Sequence, residues 1–174
     1  FTVLVRENVG ERGLKEAVDI FSKHLKKGGI GLFFFAGHGI QLKDQNFLLP
    51  VDVGFDNETD IAFKSISAEY VLSRMAEAGN RINVVILDAC RNNPFEGRFR
   101  NARGSGLAQV DAPKGTLLAY ATAPGKVASD GDGANGLYTA ELLKAMEIPG
   151  AKVEEVFKAV RVNVIKATAG EQIP

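Results

Sequence analysis

One cysteine stands among the 174 residues. With a single thiol no internal disulfide can form and no cysteine-rich metal centre can be built. Only two histidines accompany it, which argues against a structural zinc site. Net charge is absent as well, since Lys+Arg and Asp+Glu both number 21. That balance gives no broad basic field for nucleic acid or an anionic membrane, although it leaves room for a local patch. No apolar stretch approaches the roughly 20 residues that a bilayer-spanning helix needs. The first residues also lack the basic-then-apolar pattern of a signal peptide. The expectation is a cytoplasmic chain with no nucleic-acid and no membrane partner. What is present is ordinary for a globular protein: 45% hydrophobic and 24% charged residues, at a length that suits one domain with a substantial core.

Residues 1–7 alternate apolar and polar side chains, with Leu4 out of phase, and read as the end of a strand. Leu14, Ala17, Val18, Phe21 and Leu25 then fall at helical spacing, stopped by Gly28-Gly29. Residues 31–36 are a short apolar run leading into the turn Gly37-His38-Gly39, and residues 46–49 a shorter strand ended by Pro50. Residues 51–64 read as a polar loop holding Asp52, Asp56, Glu58 and Asp60. Ser67 is a candidate N-cap for a helix to about Ala78, with Val71, Leu72 and Met75 on its apolar side. A second apolar run over 82–87 leads into Asp88-Ala89-Cys90-Arg91. Residues 91–114 are rich in Gly, Pro and Asn and carry Arg91, Arg98, Arg100, Arg103 and Lys114, the composition of a mobile surface loop. A third apolar run over 116–121, a Gly/Asp-rich loop over 124–136, and helices over 138–146 and from Val153 to about Thr168 complete the chain. Strands alternating with helices predict a three-layer α/β/α sandwich around a mostly parallel sheet, with no internal repeat and no domain linker.

Open parallel sheets carry their chemistry at the carboxyl ends of the strands. Here two such ends bear His38 and Cys90, an imidazole and a thiol that can form a nucleophile pair. Taken singly, each residue type is more often buried structure than catalyst. Taken together at two strand ends they favour chemistry, with His24 the contrasting mid-helix histidine. The N–H of Gly39, unshielded by a side chain, and that of Cys90 are candidates for an oxyanion hole. A plain turn glycine is the competing reading of Gly39. The histidine lies roughly 50 residues upstream of the cysteine, a spacing found in caspases.

These motifs resemble the caspase-like cysteine peptidases: caspases, metacaspases and bacterial orthocaspases. Phe33-Phe34-Phe35-Ala36-Gly37-His38-Gly39 matches the histidine motif, and Val85-Ile86-Leu87-Asp88-Ala89-Cys90-Arg91 the cysteine motif. Asn46-Phe47-Leu48-Leu49-Pro50-Val51-Asp52 resembles the segment between them in bacterial members. Tyr120-Ala121-Thr122-Ala123-Pro124-Gly125 and Gly136-Leu137-Tyr138-Thr139 resemble the start of the small-subunit segment and of its helix. The resemblance implies a thiol protease acting on peptide or protein substrates, with Cys90 as nucleophile, His38 as acid/base and no cofactor required. It also implies a single peptidase domain over 1–174, divided into a large-subunit-like part (1–97), a basic connecting loop (98–114) and a small-subunit-like part (115–174).

Caspases hold a P1 aspartate (the residue before the scissile bond) with a glutamine two before the cysteine and with arginines, one of them after the Ala-Pro-Gly motif. Here those positions are Asp88 and, by the same alignment, Asp130, with Asp132 as the alternative. Acidic groups repel an aspartate side chain and attract arginine or lysine, the metacaspase and orthocaspase preference. Capping of a neighbouring loop is the competing reading of Asp88. A pocket for basic residues makes Arg98, Arg100 and Arg103 candidate self-cleavage sites, against the reading of a basic loop that is never cut. Calcium activates many metacaspases, and Asp52, Asp56, Glu58 and Asp60, or Asp130 and Asp132, are its candidate ligands, against a solvated acidic loop. Family members usually begin with a strand and helix ahead of the segment that starts here, so the resemblance implies further polypeptide upstream of Phe1 and a domain edge at Gln172-Ile173-Pro174. A catalytically silent caspase-like interaction module is the alternative to an active peptidase.

Overall fold

The computed structural model describes residues 2–89, 107–124, 126, 128–129, 131 and 133–174. Three strands, β1 (Ile30–Ala36), β5 (Ile82–Asp88) and β6 (Thr116–Tyr120), form a parallel sheet in the order β1-β5-β6. Between β1 and β5 the chain makes a separate antiparallel sheet of β2 (His38–Leu42), β3 (Gln45–Leu49) and the two-residue β4 (Ile66–Ser67). The helices are α1 (Glu11–Leu25), α2 (Glu58–Lys64), α3 (Ala68–Glu77), α4 (Leu137–Met146) and α5 (Val153–Ala167).

Register and contacts set the layers. The Phe21 ring of α1 meets Phe33 of β1 at 6.3 Å, so the odd-numbered residues of β1 face α1. Thr139 of α4 bonds Asp88 of β5, paired with Ala36, so the even-numbered face looks toward α4. The central strand β5 is covered on both faces: Val84, Val85, Ile86 and Leu87 are all buried, as a parallel strand between two helical layers requires. Leu14 and Val18 of α1, Val71 and Met75 of α3, Tyr138 and Leu142 of α4 and Val160 and Val164 of α5 share one core with it. The expected α/β/α sandwich is present. Its coverage of β1 is partial, with Leu32 and Phe34 remaining 40% and 41% exposed.

Three expectations are corrected. Residues 2–10 form no strand, and Val3 and Val5 stand 71% and 62% exposed. Alternation alone does not make a strand, and the backbone bond that reaches this segment, from the Val51 N–H to the Val9 carbonyl at 3.2 Å, is not a ladder. The polar loop over 51–64 contains α2, started by the Asn57 side chain, which accepts the N–H of Asp60. The Gly37-His38-Gly39 turn is the entry of a hairpin: His38 is the first residue of β2, paired with Leu49. Ser67 caps α3 as read, accepting from the Tyr70 N–H at 3.0 Å. The part of 91–114 that is described is docked: Leu107 is 2% exposed, and Asn46, fully buried, exchanges two 2.7 Å bonds with the backbone of Ala108. That pairing satisfies an amide whose burial is otherwise costly.

Helices α4 and α5 are tied through Glu141, which accepts from Lys144 at 2.6 Å and from Asn163 at 3.0 Å. The Lys144 bond, aided by that from Asn163, holds the carboxyl below its ordinary range against the opposing effect of burial. A depressed folded-state value places the stabilisation at neutral pH and loses it as pH falls through that value. Glu141→Gln is expected to cost about 1 kcal/mol at pH 7, with the gap to the parent chain closing in acid. Urea unfolding at both pH values checks this; a gap independent of pH would contradict it.

Candidate active site

The site lies where β1 and β5 end. Past the pair Ala36–Asp88, one further bond extends the ladder, from the Gly37 N–H to the Asp88 carbonyl at 3.2 Å. His38 follows at once, exposed, at the head of β2. Gly39 is buried against the other strand's exit. A Cβ placed on it would stand 2.8 Å from the Ala89 carbonyl oxygen, 2.9 Å from Leu107 Cδ2 and 3.2 Å from Ala89 Cβ. The residue after His38 therefore touches the residue before Cys90, and Leu107 closes the third side. Only glycine fits there. Gly39→Ala is expected to cost about 1–3 kcal/mol through overpacking, read as a lower urea midpoint. An unchanged midpoint would show that the two exits are not pressed together.

Asp88 is half-buried, its Oδ2 accepting from the Thr139 hydroxyl at 2.6 Å. The same oxygen would lie 3.3 Å from a Cβ on Gly136, the N-cap of α4. That helix has neither a side-chain cap nor an acidic residue in its first turn. The Asp88 carboxylate thus stands at the helix's positive end and supplies the missing negative charge. Tyr138 is 1% exposed, and burial first, then the Asp88 charge, pushes its phenol well above the ordinary range. It stays neutral at any physiological pH.

The structure brings His38, Gly39 and Asp88 to one sheet end. Cys90, Asp130, Asp132, Arg98, Arg100 and Arg103 lie outside the described residues. Of the candidate calcium ligands, Asp52 accepts from the Glu11 N–H, while Asp60 accepts from the Asp56 N–H and pairs with Lys64. Among the described residues no group of three or more His, Cys, Asp or Glu gathers as a metal site would require. None of the described helices is long and apolar enough to cross a membrane. A groove of about 710 Å³ runs along the outer edge of β6, lined by Val110, Tyr120, Pro124, Phe157 and Arg161 among others. It includes neither His38 nor Asp88.

Sequence reasoning missed the contribution of Leu107 and the roles of Asn46, Thr139 and Gln172. For Asn46 the available signal was a lone amide at the head of an apolar run. For Thr139 and Gln172 it was nothing local, because each acts on a residue more than 40 positions away.

A family profile described as the caspase domain matches residues 1–174. The mucosa-associated lymphoid tissue lymphoma translocation protein 1 of Homo sapiens is 30% identical over 128 residues, covering 72% of this chain. Its homolog in Mus musculus is 30% identical over the same extent. The chain spans only 14% of the length of either relative. The parallel sheet, the helices on both its faces and a match over the full length agree: the chain belongs to the caspase-domain family, a peptidase-type family.

Proposed function

We propose that the chain is a cysteine endopeptidase that cleaves after arginine or lysine. The observation that carries this reading is the packing of Gly39 on Ala89, which sets the neighbour of His38 against the neighbour of Cys90. In the proposed reaction the Cys90 thiol gives its proton to the His38 ring. The thiolate attacks the P1 carbonyl carbon, a C–S bond forms, and the carbonyl oxygen takes the electron pair. The N–H groups of Gly39 and Cys90 hold that oxyanion. The tetrahedral species collapses, the C–N bond breaks, and the leaving amine takes the proton from His38. Water then attacks the thioester, passing a proton back through His38, and releases the acid with the thiol restored.

Asp88 supplies the charge that selects a basic P1 side chain, and Asp130 is the proposed second acid. The hydrogen bond from Thr139 supports this role as well as a capping role. It fixes the orientation of the carboxylate, whose negative charge is what a guanidinium or ammonium group would meet. The substrates are peptides or proteins, in a cytoplasmic setting, and Arg98, Arg100 and Arg103 are the proposed points of self-cleavage.

Hydrolysis of a matched peptide pair, P1 Arg against P1 Asp, with calcium present or absent, tests the reading. Cleavage of the Arg peptide alone supports it, and a calcium requirement adds the activator. Cleavage of the Asp peptide overturns the acidic pocket. Cleavage of neither by a folded chain favours a silent interaction module.

A further inference from the structure

Gln172 lies just beyond α5, at the far end of the chain from the candidate site, yet it is 2% exposed. An amide buried this completely is costly unless both its heteroatoms are paired. Both are. Its Nε2–H donates to the Ala121 carbonyl at 2.6 Å, and its Oε1 accepts the Ser129 N–H at 2.9 Å. One side chain therefore pins the loop that leaves β6 at its start and again at Ser129.

Each pinned group leads to Asp88. The Ala121 N–H donates to the carbonyl of Leu87, the residue before Asp88, at 3.1 Å. The Ser129 carbonyl accepts the N–H of Leu137, the first residue of α4, at 3.2 Å. Two residues on, Thr139 holds the Asp88 carboxylate. Gln172 is itself held from below. Its N–H donates to Thr168 Oγ1 at 3.0 Å, and that hydroxyl donates to the Val164 carbonyl at 2.8 Å. Ala169 and Gly170, with φ of 50° and 90°, turn the chain back so that the amide points into the protein. Thr168, the C-cap of α5, and this turn-back thus present the amide to the loop.

We infer that Gln172 is a positioning residue for the Asp88 carboxylate: its amide holds Ala121 and Ser129 between β6 and α4 and, through Ser129, the helix end that orients Asp88. The inference rests on Asp88 lining the P1 pocket. Gln172 is neutral, so it acts through position and leaves the charge of the pocket unchanged.

The test is Gln172→Met, of similar length and apolar, beside Gln172→Glu, which keeps an acceptor for Ser129 but loses the donor to Ala121. Amide hydrogen exchange and peptide hydrolysis are measured on both. In the Met variant the Ser129 and Leu137 amides are expected to exchange roughly tenfold faster, with the amides of β5 and mid-α5 unchanged. The KM for the P1-arginine peptide is expected to rise several-fold with little change in kcat. The Glu variant, at neutral pH, is expected to keep more of the Ser129 protection than the Met variant. Unchanged exchange at Ser129 and Leu137 would overturn the lock. Faster exchange spread evenly over β5 and α5 would also overturn it, because the residue would then serve stability alone. A wild-type chain that cleaves neither peptide would refute the peptidase reading. The exchange measurement would then still decide separately whether Gln172 locks the loop.

Discussion

Cys90→Ala is expected to reduce cleavage of a P1-arginine peptide to the level of buffer, and His38→Ala to lower kcat/KM by about 10² to 10⁴. Both losses are expected without loss of fold. His38 is exposed and contributes to β2 through its backbone pairing with Leu49, which alanine keeps. Thiol and imidazole act as one unit, so the double variant should be no worse than Cys90→Ala alone. Urea unfolding run beside the kinetics separates chemistry from stability. A His38→Ala chain that retains more than about a tenth of the parent activity would exclude the imidazole as acid/base, since proton transfer is worth far more than that.

Asp88→Asn removes one charge and almost no volume. Asparagine still offers an oxygen to the Thr139 hydroxyl, so the local geometry is expected to persist. The capping charge at α4 is worth about 0.3–1 kcal/mol, a small cost in stability. The proposed interaction with a basic P1 side chain would be larger, about 4 kcal/mol for unit charges 4 Å apart in a partly screened setting. After desolvation, roughly a hundredfold loss of kcat/KM for the P1-arginine peptide remains, mostly through KM. Matched kinetics on P1-Arg and P1-norleucine peptides check this, the norleucine rate changing little. If both peptides slow equally, or the loss follows the urea midpoint, Asp88 serves the helix and not the substrate.

Much of the fold was legible because its strongest signals are local. The apolar runs that became β1, β5 and β6 are short and bounded by turn residues, and α1, α3, α4 and α5 repeat at helical spacing. Of the second sheet, β3 was legible as a short apolar run, while its partner β2 was hidden by the turn between them. Lys43 and Asp44 take φ of 50° and 62° at the bend between β2 and β3, where a glycine would have signalled a hairpin. Helix α2 is only seven residues long, too short for a periodicity to stand out from a polar loop. Of the site, the two strand ends and Gly39 could be read from spacing. The contact of Gly39 with Ala89 and Leu107, and the path from Gln172 to Asp88, join residues distant in sequence. Such pairings are fixed by packing, which one sequence does not display.

Covalent labelling reads the Cys90 nucleophile and the acidic pocket together. A peptidyl chloromethyl ketone with arginine at P1, and its aspartate counterpart, are incubated with the chain, and the product is weighed intact and mapped. One adduct is expected, on Cys90, formed rapidly with the arginine reagent and slowly or not at all with the aspartate one. His38→Ala and Asp88→Asn are each expected to slow the labelling. Equal labelling by both reagents, or none by either in a folded chain, would contradict the proposed function.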